Sequence, residues 1–175
     1  MWLQDCFLKW WLHGPRYGWS KFRRCLFERG FLNVELPKVE TLDDIIEKLH
    51  KVEWKKDWIP ELFDCVSYPQ RVWKRRKDDC DGFAVLAAAL LKQLKTPSNP
   101  IMVTAMVNSI NNCHSVCVFE TDEGFKYFSN WELNPNTFNS YEEIVKDFVG
   151  TKYRLICWDE VDPDTLKQLK FHPVK

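Results

Sequence analysis

The chain has 175 residues with 25 basic and 25 acidic side chains, so its formal net charge is zero. That balance argues against a protein whose main task is wrapping nucleic acid or coating an anionic membrane, while leaving room for a local basic patch. A hydrophobic content of 45%, with 15% aromatic residues, excludes a disordered tail, and the length suits one domain with a real core.

Residues 1–40 are aromatic and basic, broken into short pieces by Gly14, Pro15, Gly18, Gly30 and Pro37. They read as an N-terminal extension packed on a domain that spans 41–175. Trp2, Leu3, Phe7, Trp10 and Trp11 form the apolar face of a short helix, expected to pack on the domain's own core, with an interfacial helix as the alternative. Asp5 and Lys9 interrupt this stretch, which lacks the basic start and continuous apolar region of a signal peptide. No run approaches the roughly 20 apolar residues of a spanning helix.

Thr41 is a good N-cap for TLDDIIEKLHKV, with Asp44 at the third helical position and Leu42, Ile45, Ile46 and Leu49 as an apolar stripe. A loop region follows through Trp58, Pro60 and Pro69. Residues 83–91 of DDCDGFAVLAAALLKQL are then apolar without a break, which marks a helix buried on every face, starting at Asp78 to Asp81 and ending near Thr96-Pro97. Beyond Pro100 the period changes. IMVTAMV, HSVCVF and FKYFSNW read as strands, with a hairpin turn at TDEG. Ser140 and Glu143 make a second capping box for YEEIVKDF, YRLICW is a fourth strand, and Asp162-Pro163 opens a short terminal helix. The order predicts an α+β fold, one buried helix packed on an antiparallel sheet.

Seven cysteines, at 6, 25, 65, 80, 113, 117 and 157, lack the dense paired spacing of a secreted disulfide scaffold and read as thiols of a reducing cytoplasm. Cys80 stands apart from the others. It falls in the first turn of the most buried helix, where orphan N–H groups and the helix dipole stabilise a thiolate, although Asp78, Asp79 and Asp81 oppose its ionisation. Of four histidines, only His114 begins a predicted strand. A helix-start cysteine and a strand histidine are the pieces of a nucleophile-base pair meeting across a helix–sheet interface. Asn130 and Ser129, on the next strand of the hairpin, are the candidates for the third group that orients the imidazole.

KDDCDGFAVLAAALLKQL resembles the Cys motif of the transglutaminase-like superfamily, in which G-D-C-[ED]-[DG]-x-A opens the central helix. HSVCVFETDEGFKYFSNWEL resembles its His strand and hairpin partner, where the third residue follows the His by about fifteen or sixteen positions. The nearest branch is the bacterial transglutaminase-like cysteine peptidases, whose aromatic-x-Pro stretch is echoed by Tyr68 and Pro69. The likeness covers about residues 58–134. It implies a papain-like core and acyl transfer through a Cys80-His114-Asn130 triad, with Ser129 as the alternative third member. The substrate would be a protein or peptide amide, with no cofactor or metal. Two departures stand out: Asp78 replaces the usual Gly, and the third position offers Asn or Ser in place of Asp. They leave open a degenerate member of the fold serving as a binding or structural module. Trp73 and Trp131 are the candidates for lining a substrate cleft.

Two other readings compete. Cys113, His114 and Cys117 carry zinc-ligand chemistry, but strand alternation points His114 away from both cysteines, and a second Cys pair is missing. RVWKRRK at 71–77 has five basic residues among seven, interleaved with Trp73. It offers a nucleic-acid patch, a solvated surface, or a cationic offset to the aspartates around Cys80.

Overall fold

The computed structural model describes residues 2–56, 65–95, 99–109 and 112–174, without the side chain of Trp2. Helices come first: α1 (Trp2–Leu12), α2 (Pro15–Arg23), α3 (Leu42–Leu49), α4 (Pro69–Arg75) and α5 (Cys80–Leu91). α2 runs on into a π-helical turn, Arg24–Glu28, and a 3-10 turn, Arg29–Phe31. A two-residue parallel ribbon pairs β1 (Glu53–Trp54) with β2 (Lys77–Asp78). The main sheet is antiparallel, built from β3 (Ile101–Val107), β4 (His114–Thr121), β5 (Gly124–Ser129), β6 (Glu132–Leu133), β7 (Leu155–Val161) and β8 (Gln168–Pro173). Its strand order is β6-β5-β4-β3-β7-β8, and α6 (Tyr141–Val149) lies between β6 and β7 in sequence.

Strand alternation divides the core into two layers. On one face Met102, Met106, Cys117, Phe119, Phe128 and Cys157 pack with α1, α3, α4 and α5. On the other, Val103, Ala105, Val116, Val118, Tyr127 and Trp158 pack with Ile144 and Val145 of α6. α5 is the centre of the larger layer, with Phe83, Leu86, Leu90 and Leu91 fully buried. Each such side chain contributes roughly 1.5–3 kcal/mol of transfer free energy. This is the expected α+β architecture.

The expected caps are present. Thr41 and Asp44 form a reciprocal capping box on α3. Ser140 Oγ accepts from Glu143 N on α6, while Glu143 Oε2 reaches past the cap to Asn139 N. The loop residues Trp58 and Pro60, and the expected helix end at Thr96-Pro97, lie outside the described residues. α5 itself stops at Leu91, where the apolar run gives way to exposed Lys92 and Gln93.

The terminal helix expected after Asp162 is instead a turn. Asp162 Oδ1 accepts from Thr165 N and Oγ1, both at 2.7 Å, and Leu166 N donates to Asp162 O at 2.9 Å, the bonds of a single capped turn that goes no further. Leu166, buried at φ 52°, redirects the chain into β8, whose weak apolar alternation hid it in the sequence. The apolar face expected on α1 is also rotated. Leu8, Trp11 and Leu12 are buried, whereas Leu3, Phe7 and Trp10 are exposed.

Candidate active site

Cys80 is the first residue of α5 and is half-buried. Asp79 caps the helix, its Oδ1 accepting from Asp81 N at 3.2 Å. The preceding Asp78, where the superfamily usually has Gly, is buried against the helix. Its Oδ1 accepts from Asp79 N, and Oδ2 lies 3.5 Å from Arg71 Nη1. A Cβ on Gly82 would sit 2.4 Å from the Asp78 Cβ, so this turn folds back on α5 only because residue 82 lacks a side chain. The β1–β2 ribbon secures the same turn, with Lys55 N donating to Asp78 O at 2.9 Å.

His114 opens β4 and faces the α6 layer, its ring edge-on to Phe148 at a centroid distance of 5.8 Å. Nε2 lies 2.9 Å from Ser129 Oγ. Burial pushes the imidazole below its ordinary pKa, and the charge of Asp81 opposes that shift. The expected third residue, Asn130, is not the ring's partner. β5 ends at Ser129, and Asn130 turns into the left-handed region at φ 53° to start the β5–β6 hairpin. Asn130 Oδ1 is buried with no hydrogen-bond partner among the described residues.

The start of α5 is tied to the start of β4 by neighbours of the two candidate residues. Ser115 Oγ donates to Asp81 Oδ1 at 2.7 Å and lies 2.9 Å from Thr104 Oγ1. Arg16 of α2 completes the cluster, with Nη2 2.5 Å from Asp81 Oδ2 and Nη1 3.2 Å from Thr104 Oγ1. Beneath it Tyr17 donates to Asp159 Oδ1 at 3.1 Å, and Gln168 donates to Asp159 Oδ2 at 2.6 Å. Desolvation raises the Asp159 carboxyl to about 7 despite these bonds and the Arg16 charge. Arg16, Thr104 and Ser115 carried no functional signal in the sequence. Only the alternation placing Ser115 on the α5 side of β4 could have flagged one of them.

A cavity of about 600 Å³ has Cys80, His114, Ser129 and Asn130 on its wall. Its lining draws on both sheet faces, with Trp11, Arg16 and Thr104 from one layer and Tyr127, Phe148 and Val149 from the other. Cys80 and His114 therefore share a cavity at the end of the sheet, not the α5–sheet interface expected for them. Trp54 and Lys56, carried in by β1, and Tyr153 complete the wall. Trp73 and Trp131 do not line it. The Arg76 guanidinium covers Trp73 at 3.2 Å, and Trp131 packs edge-on to Phe83 at 5.6 Å.

Ligand-type atoms of Asp79, Cys80 and Asp81 lie within 4.8 Å of one another. Their commitments fit a cap and an ion pair better than a metal site, since Asp79 holds the helix start and Asp81 holds Arg16 and Ser115. Cys117 is buried on the α5 side of β4, opposite to His114, and burial raises its pKa. Cys157 is likewise pushed up to about 12. Among the described residues no helix is long and apolar enough to cross a membrane.

A search of curated proteins returns no match. A family profile described as a transglutaminase-like domain matches residues 17–155, which run from Tyr17 within α2 through α6 to the first residue of β7. Both the helix-start cysteine and the strand histidine fall inside that span, as does Arg16's partner Asp81. The chain belongs to the transglutaminase-like domain family.

Proposed function

We propose that this cavity is the active site of a thiol-dependent acyl-transfer enzyme acting on an amide of a protein or peptide. Cys80 is the nucleophile, His114 the base, and Ser129 the group that orients the imidazole. The observation that carries this reading is the 2.9 Å approach of His114 Nε2 to Ser129 Oγ on the wall of the cavity that Cys80 also lines. With Nε2–H donating to the serine, Nδ1 is the acceptor nitrogen left for the thiol proton.

In this scheme Nδ1 takes the proton of Cys80 and the thiolate attacks the amide carbonyl. The oxyanion of the tetrahedral intermediate meets the backbone N–H of Cys80 at the positive end of α5. His114 returns the proton to the departing amine, leaving a thioester that water or a second amine resolves. Peptide hydrolysis, as in the cysteine peptidases of the superfamily, deamidation and transamidation share these steps. They differ in the acceptor admitted.

A second reading, a binding module on the same fold, draws on two observations. Burial disfavours the imidazolium, and the thiol is flanked by two buried carboxylates. The pH dependence of Cys80 alkylation by iodoacetamide, in wild type and in His114→Ala, separates the two. The enzyme reading expects a reactive thiol below its ordinary pKa that becomes ordinary in the variant. A thiol indifferent to loss of the histidine supports the binding module.

A further inference from the structure

The helix that supplies Arg16 to the site is inside out. Between Arg16 and Glu28 a stripe of four polar residues faces inward, beside Tyr17, while four large apolar residues face solvent. Arg16, Ser20, Arg24 and Glu28 are each 3% exposed or less, whereas Trp19, Phe22, Leu26 and Phe27 are 46, 51, 58 and 73% exposed. An ordinary surface helix shows the reverse pattern.

The buried polar side is fully engaged. Ser20 Oγ accepts from Val66 N at 3.1 Å, and Arg24 donates to Val66 O and Ser67 O while covering the Tyr68 ring. Glu28 accepts from Tyr68 N at 2.9 Å and lies 3.4 Å from Arg71 Nε. Desolvation lowers Arg24 only to about 10, so it stays charged at neutral pH. The π-helical turn at Arg24–Glu28 keeps both ends of this four-residue step on the buried side. The inversion is thus fixed by specific bonds to segment 66–71, and the aromatic side has no alternative but to face outward.

Trp19, Phe22 and Leu26 recur at i, i+3 and i+7, and the first two rings stack at 5.6 Å. Packed beside α2, α1 exposes Leu3, Phe7 and Trp10. Along α2 and its continuation the exposed charge has one sign. Along 15–31 the exposed charged side chains are Lys21 and Arg29, and the single acid, Glu28, is buried. Aromatic and aliphatic side chains rimmed by cations, with acids withdrawn, complement a negatively charged lipid headgroup layer over an apolar interior.

We propose that the outward face of α2 and its π-helical continuation docks on an anionic lipid surface, inserting Phe22 and Leu26 to the level of the acyl boundary. Arg16 and Trp11, on the inward sides of the same two helices, line the cavity, so docking sets the candidate site close to the bilayer.

The test is co-sedimentation of the full chain with phosphatidylcholine vesicles, with and without a phosphatidylglycerol fraction, at low and high salt. It is run for wild type, Phe22→Gln/Leu26→Gln and Lys21→Glu, each checked for native circular dichroism, with sedimentation velocity of the lipid-free protein alongside. The expected result is salt-sensitive binding to the anionic vesicles, reduced at least about ten-fold by the double variant and weakened by the charge reversal. Binding that the double variant retains overturns the proposal. So does a failure to bind anionic vesicles, and a dimer that the double variant dissociates would then assign the face to a second copy of the chain.

Discussion

Replacing Ser129 separates the two candidates for the orienting group. In Ser129→Ala the imidazole loses the hydroxyl 2.9 Å from Nε2, while the backbone of β5 and its pairing with Glu132 are retained. One neutral hydrogen bond to a half-buried ring is worth about 0.5–1.5 kcal/mol. Since 1.36 kcal/mol corresponds to a tenfold change, the population of the thiolate–imidazolium pair should fall roughly two- to twelve-fold. The rate of Cys80 alkylation near neutral pH reads that population directly. Asn130→Ala should leave the rate within about two-fold. Its cost falls on stability, because alanine tolerates the left-handed backbone at φ 53° less well than asparagine, by about 1 kcal/mol. Ser129→Asp, which puts a carboxylate against the ring, should raise the reactivity, as charge-assisted bonds are about twice as strong as neutral ones. The reasoning fails if Asn130→Ala slows alkylation while Ser129→Ala does not.

Three further expectations concern the frame of the site. Arg16→Met leaves Asp81 buried without its cation and should cost about 3–5 kcal/mol in urea unfolding; Arg16→Met/Asp81→Leu should recover much of that, and equal costs for the two would refute a paired charge. Gly82→Ala gains about 1 kcal/mol of helix propensity but drives a Cβ to 2.4 Å from Asp78, an overpacking cost of about 1–3 kcal/mol, so thermal unfolding should come earlier, not later. Asp159 binds its proton more tightly folded than unfolded, with the folded value raised from the ordinary 3.8 to about 7. Its contribution is therefore present below pH 3.8 and lost as the pH rises to 7, about 4 kcal/mol in all. Asp159→Asn should remove that slope from the stability-against-pH curve, and an unchanged curve would place the carboxyl's pKa elsewhere.

The elements legible in the sequence were those set by strong local signals. The apolar run 83–91 announced α5, the β-branched and aromatic runs announced β3, β4 and β5, and YRLICW announced β7. Thr41 and Ser140 announced the caps. The turn after Asp162 was misread because Asp-Pro starts helices and Asx-turns alike, and the choice was made by Leu166, which tertiary burial pulls into the core. Which hairpin residue lies against the His114 ring, Ser129 and not Asn130, was hidden for a similar reason. Ser129 and Asn130 are adjacent in sequence, and which one reaches His114 depends on where β5 stops and the backbone inverts. α2 was opaque because its pattern is inverted. A periodicity rule applied to 15–31 sends Trp19 and Phe22 inward, and nothing local reveals that Arg16 and Arg24 have hydrogen-bond partners about 40 to 140 residues away.

The acidic surroundings of Cys80 looked hostile to a thiolate, and their bonding alters that judgement. Asp81 is matched by Arg16 and by the Ser115 hydroxyl, and Asp78 is approached by Arg71. Asp79 gives one oxygen to the helix start. Charge near the thiol is then closer to balanced than the sequence DDCD implies, because a carboxylate beside a guanidinium exerts a dipolar field that falls off faster with distance than that of a lone charge. Arg71 belongs to the basic run 71–77, so one member of that run faces the aspartates. Two others, Arg75 and Arg76, cover the rings of Phe31 and Trp73. The cations that offset the acids come from α2 and α4, two helices locked together through Glu28, which lies 3.4 Å from Arg71 Nε. The inverted helix is therefore electrostatic support for the site as well as a lipid-facing surface, and a change at Glu28 should alter both thiol reactivity and vesicle binding.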